Sequence, residues 1–114
     1  MSAIRKKSET SGEQLRRMCK DIADGITNPV DNSEHGEDAS VASWMDGVYN
    51  IEWITHQDKT YKAARLLVAG GGPNIWVNLQ TDTVDGFWVT DKYSHGFVDI
   101  LRLEEYCEEL YGCS

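Results

Sequence analysis

A chain of 114 residues with 40% apolar content, four tryptophans and a formal net charge of −8 is long enough to bury one core without covalent staples. An acidic balance of this size argues against direct binding to nucleic acid, because each phosphate contact would meet repulsion instead of releasing counterions. The charge is also uneven: the first twenty residues hold six basic and two acidic side chains, the remainder five and seventeen. The acidic body suits either a basic partner or simple solubility.

Residues 1–10 are expected to form a flexible arm, and residues 11–114 a single α+β domain. The arm is basic from Arg5 to Lys7, but no apolar stretch follows it, and no run approaches the length of a membrane span. Three cysteines, Cys19, Cys107 and Cys113, form no C-x-x-C pair, so neither a zinc site nor a disulfide framework is indicated. Cys19 reads as a small buried hydrophobe and Cys113 as a free thiol. A reducing cytoplasm is the expected compartment.

The spacing of Leu15, Met18, Cys19, Ile22, Ala23 and Ile26 predicts a one-faced helix over 11–27, opened by a Ser11-x-x-Gln14 capping box and stopped by Asn28-Pro29. Asp31 to Ser40 has no apolar period and no lysine or arginine, and reads as an exposed acidic loop whose Asp31, Glu34, Glu37 and Asp38 are candidates to join the acidic face of the last helix in binding a partner. It lacks the ligand alternation and terminal glutamate of a calcium loop. A single helical turn is predicted from Ser40 through Met45.

Four strands are predicted next, over 48–55, 61–69, 75–79 and 84–90, with short connections that make an antiparallel meander. The hard stop between the second and third is Gly70-Gly71-Gly72-Pro73, where Gly71 or Gly72 is expected to take positive φ. Asp91 to Gly96 reads as a loop. Phe97, Ile100, Leu103, Tyr106 or Cys107, and Leu110 then predict a last helix over 97–111. The expected fold is therefore α+β: a four-stranded antiparallel meander flanked by an N-terminal and a C-terminal helix.

Chemistry is hard to find in this pattern. The glycine turn is followed by no Gly-Lys-Ser/Thr and leads into a strand, so a phosphate loop is not indicated. His35, His56 and His95 are scattered over three loops, without metal-ligand spacing. Nothing adjacent activates a cysteine. No catalytic residue, metal or cofactor is assigned, and an enzyme is not expected. Two features suggest a binding surface. Glu104, Glu105, Glu108 and Glu109 crowd the last helix, where carboxylates meet the negative end of the helix dipole and repel one another; a merely solvated acidic face is the other reading. Trp76 and Phe87 fall on strand positions opposite the core residues, either as an exposed aromatic patch or, for Trp76, beneath the first helix.

At Gly71-Gly72-Pro73-Asn74-Ile75-Trp76-Val77-Asn78, through Thr83-Val84-Asp85-Gly86-Phe87-Trp88, and at Glu104-Glu105-Tyr106-Cys107-Glu108-Glu109-Leu110-Tyr111, the sequence resembles a group of short acidic proteins. These are carried by phages and mobile elements of Gram-positive bacteria. Where that pattern would have a second glycine–acid step after the tryptophan, this chain has Val89-Thr90-Asp91. The resemblance implies an inhibitor of host defence, such as an anti-CRISPR protein, that offers carboxylates to a basic nucleic-acid groove inside a bacterial host. The implied partner is a CRISPR effector or another nucleic-acid-handling defence protein, with a homodimer left open. The competing expectation is an intracellular adaptor whose acidity serves solubility.

Overall fold

The computed structural model of the chain describes residues 10–29 and 36–113, with residues 36–40 described by backbone only. The predicted arm lies outside them except for Thr10, as do Asp31 and Glu34. Eight elements follow in order: α1 (Ser11–Thr27), α2 (Gly36–Met45), β1 (Asn50–Thr55), β2 (Tyr61–Ala69), β3 (Asn74–Asn78), β4 (Thr83–Trp88), β5 (Asp91–Gly96) and α3 (Leu103–Gly112). The strands form one antiparallel sheet in the order β1-β2-β3-β4-β5.

The α+β antiparallel meander therefore holds, but with five strands. The segment Asp91–Gly96, expected to be a loop, is β5, paired with β4 from Trp88↔Asp91 to Thr83↔Gly96. The acidic stretch is also partly corrected: residues 36–40 are helical and form the first half of α2, of which the predicted turn at 40–45 is the second.

Helix α1 is capped by Thr10, one residue earlier than the predicted box. The Thr10 hydroxyl accepts from the Glu13 amide at 3.1 Å, and the Glu13 carboxylate accepts from the Thr10 amide at 3.0 Å. Leu15, Cys19, Ala23 and Ile26 form its buried stripe, which packs on β4 and β5 and shares one core with Ala64, Leu66, Ile75, Val77 and Val84 of the sheet. Both ends of α1 are tied to the β5 region. The Ser11 hydroxyl donates to Asp91 at 2.8 Å, and the Thr27 hydroxyl accepts from the Val98 amide at 3.0 Å.

The last helix starts at Leu103, not at residue 97. Arg102 sits at φ 67°, ψ 44°, a left-handed conformation that no α-helix passes through. Asp99 takes over the capping: its carboxylate accepts from the Leu103 amide at 2.8 Å and the Glu104 amide at 3.0 Å. Phe97 and Leu101 are buried in this non-helical connection, whereas Ile100, predicted for the core, is exposed. Leu103 and Cys107 are the buried side chains of α3.

Candidate partner-binding surfaces

The sheet has one covered and one open face. Ile75 and Val77 are fully buried on the covered face, and Trp76 between them points the other way because side chains alternate along a strand. Trp76 is thus not beneath α1. Across the strands it stands opposite Leu67 and Asp85, and Phe87 lies diagonally from it, opposite Asn74 and Lys92. Phe87 is 40% exposed. Trp76 has a neighbour on its ring: the Arg65 guanidinium carbon stands 4.3 Å from the ring centroid, while one of its nitrogens reaches Glu52 at 2.7 Å. On the same face the Ser94 hydroxyl donates to Asp85 at 2.8 Å.

The acidic helix belongs to the opposite side of the sheet, where Leu103 and Cys107 join the core beside Ala64 and Leu66. The predicted binding set is therefore divided between two faces: Trp76 and Phe87 on one, α3 on the other. The side chains of Glu37 and Asp38, like Asp31 and Glu34, lie outside the described residues.

Within α3 the four glutamates differ. Glu105, Glu108 and Glu109 are exposed, but Glu104 is partly buried. Because the helix begins at Leu103, Glu104 and Glu105 lie in its first turn, where the dipole favours negative charge. Only Glu108 and Glu109 keep the unfavourable position read from the sequence. Glu105 is 3.8 Å from Arg102.

The structure also brings in two acids that the sequence did not single out. Asp82, in the β3–β4 turn, and Asp99, in the β5–α3 connection, act on Glu104. Burial raises the Glu104 carboxyl above its ordinary value, and Asp82, Asp99 and Glu108 raise it further. Burial and then Asp99 raise Asp82 in the same direction. Among the described residues, no ion pair involves Asp82, Asp99, Glu104 or Glu108. The arrangement is a grouping of acids from three segments, with no ion-paired cation among the described residues. It has no signal in the sequence, since residues 82, 99 and 104 are joined only by the fold.

Beneath α3, Trp53, Tyr61 and Tyr111 form an aromatic cluster with centroids 5.2–6.2 Å apart, and the Tyr111 hydroxyl donates to the Lys59 carbonyl at 2.6 Å. The Tyr61 hydroxyl is buried with no hydrogen-bond partner among the described residues. Burial raises the Cys107 thiol to about 12 and the Cys19 thiol to about 11, so both are poor nucleophiles at neutral pH. Cys113 is exposed. Among the described residues, no group of three His, Cys, Asp or Glu side chains could hold a metal ion, and no helix is long and apolar enough to cross a membrane. No protein-family model, curated protein or solved structure matches the chain.

Proposed function

We propose that this protein is a non-enzymatic inhibitor that works in the cytoplasm of a bacterial host. It docks its acidic α3 side on the basic nucleic-acid groove of a defence nuclease, such as a CRISPR effector. The observation that carries this reading is the grouping of Asp82, Asp99, Glu104 and Glu108, which have no ion-paired cation among the described residues, beside the exposed Glu105 and Glu109. Like charges gathered by folding raise the energy of the free protein, and a lysine- and arginine-rich surface would relieve that repulsion on binding. Complementary charge of this kind speeds association and makes it sensitive to salt. The resemblance to short acidic phage proteins points the same way.

The test is charge reversal at exposed positions only. The wild-type protein captures its partner from a host lysate, and the captured nuclease is then assayed for DNA or RNA cleavage. The variant E105K/E108K/E109K is expected to keep its circular dichroism spectrum and melting temperature but lose both capture and inhibition. Wild-type binding should also weaken steeply between low and moderate salt. A triple variant that inhibits at wild-type concentrations would show that the carboxylates are not the contact surface.

A further inference from the structure

Helices α1 and α3 are held to the sheet in different ways. α1 packs on two strands, β4 and β5, buries Leu15, Cys19, Ala23 and Ile26, and is hydrogen-bonded to the β5 region at both ends. α3 packs chiefly on one strand, β2, and its buried side chains are Leu103 and Cys107. Among the described residues, the flank of α3 that carries Tyr106 and Leu110 borders an open groove of about 550 Å³ toward α2 and β1. The helix is therefore not buttressed on that side.

Two features under α3 oppose its docking. The Tyr61 hydroxyl of β2 is buried with no hydrogen-bond partner among the described residues. A buried hydroxyl in this state has lost its water and gained nothing in return, and lifting the helix would restore the water. The second feature is charge. Asp82 belongs to the β3–β4 turn and Glu104 to the helix, and the two repel each other while α3 is down. Movement of α3 away from the sheet separates them.

A pivot and a latch stand at the two ends of the helix. Phe97 and Leu101 anchor the preceding connection in the core, and exposed Arg102 follows at φ 67°, ψ 44°. A side chain holds this left-handed conformation at a cost, and rotation there moves α3 without moving Leu101. At the far end the Tyr111 hydroxyl donates to the Lys59 carbonyl at an exposed site. This bond, the Asp99 caps on the Leu103 and Glu104 amides and the burial of Leu103 and Cys107 make the closed form the resting one.

We propose that α3 is a hinged flap, which swings off β2 about Arg102 while α1 and the sheet stay folded. Opening uncovers the Cys107 thiol and the Trp53–Tyr61 ring pair beneath the helix. Such an opening is a local equilibrium, reached at a free energy well below that of global unfolding. The proposal does not rest on the acidic α3 side being the inhibitory surface.

The three cysteines report on the flap separately, because Cys113 is exposed, Cys107 is buried on α3 and Cys19 is buried on α1. The full chain is treated with a pyridyl disulfide at pH 7, and each labelled cysteine is followed by mass spectrometry. Each rate is divided by that of the same thiol in the urea-unfolded chain. Cys113 is expected to react at once, and Cys107 about tenfold or more faster than Cys19. The Cys107 rate should change little at low urea, since opening exposes little surface. The amides of residues 107–112 should exchange with deuterium together and ahead of those of β2. Tyr111→Phe removes the latch and should speed Cys107 labelling by about twofold or more. Tyr61→Phe removes the unpaired hydroxyl and should slow it by about fivefold. Cys107 reacting no faster than Cys19 would mean that only global unfolding reaches it, and would overturn the proposal. A wild-type Cys107 rate in either tyrosine variant would overturn it as well.

Discussion

Gly86 gives Cys19 its place: a Cβ at residue 86 would lie 2.6 Å from the Cys19 sulfur and 2.7 Å from a Leu15 methyl carbon. Both contacts are shorter than van der Waals packing allows, so α1 rests on the sheet at a position where β4 has no side chain. Gly86→Ala is expected to destabilise the protein by about 1–3 kcal/mol through overpacking. Cys19→Ala combined with Gly86→Ala should recover part of that loss, since one of the two clashing atoms is gone. Urea unfolding of the four proteins measures the coupling. Strictly additive losses would mean that α1 shifts as a body instead of clashing at Cys19.

Gly71 and Val89 meet the same backbone demand with opposite residues. Gly71 has φ 91° and Val89 has φ 58°, both in the left-handed region that costs a side chain energy. Gly71→Val should therefore cost about 1 kcal/mol or more. Gly72, which does not have positive φ and would meet nothing within 4 Å, should accept alanine with little change. At position 89 the prediction reverses. Val89→Asn should stabilise by about 0.5–1 kcal/mol, because asparagine tolerates this conformation and the valine side chain is 88% exposed. A lower melting temperature for Val89→Asn would count against backbone strain at the β4–β5 turn.

These contrasts explain what the sequence could disclose. Helix α1 announces itself because its buried stripe, Leu15, Cys19, Ala23 and Ile26, is apolar at helical spacing. Strand β5 does not, because the side facing α1 carries Asp91, Tyr93 and His95. These are satisfied by polar and ring contacts: Ser11 with Asp91, Arg16 over Tyr93 at 5.2 Å, and the Tyr93 hydroxyl with His95 Nδ1 at 3.1 Å. A strand fitted to its neighbours by polar groups shows no alternating apolar signal. The start of α3 was hidden for another reason. Phe97, Ile100 and Leu103 have helical spacing by coincidence, and the break at Arg102 depends on a dihedral angle that the residue type does not reveal. The glutamates of α3 could be read directly. Their grouping with Asp82 and Asp99 could not, because it is made by loops far apart in the chain.

That grouping sets a pH dependence. Burial first, then Asp82, Asp99 and Glu108, hold the Glu104 carboxyl above its ordinary value. In the unfolded chain the group returns to about 4.3. The folded protein thus holds this proton more tightly, and its stabilising effect is lost as pH rises through the folded value. Glu104→Gln removes the charge while keeping the shape. It should raise stability at pH 7 by a few tenths of a kcal/mol, the scale of a neighbouring like-charge pair, and the gain should shrink as pH falls toward about 4. Urea midpoints of both proteins across this range test it; a gain independent of pH would assign the effect to packing.

Arg65 links three strands on the open face of the sheet. It pairs with Glu52 on β1 at 2.7 Å and lies over Trp76 on β3 at 4.3 Å from the ring centroid. Glu52 stands directly opposite Arg65, whereas the residue opposite on β3 is Asn78, so the arginine reaches diagonally to the indole. A guanidinium over an indole at a partly exposed site couples by about 0.5–1 kcal/mol. A double-mutant cycle with Arg65→Ala and Trp76→Phe should give a coupling in this range. Arg65→Lys should retain only part of it, since the ammonium lacks the flat guanidinium surface. Arg65→Ala should also shift the tryptophan emission to the red as the Trp76 ring becomes wetter. Zero coupling, with all variants folded, would mean that Glu52 alone holds the arginine and that the Trp76 ring is available beside Phe87. Charge reversal on α3 and mutation of this aromatic pair would then have to be compared directly for their effect on partner binding.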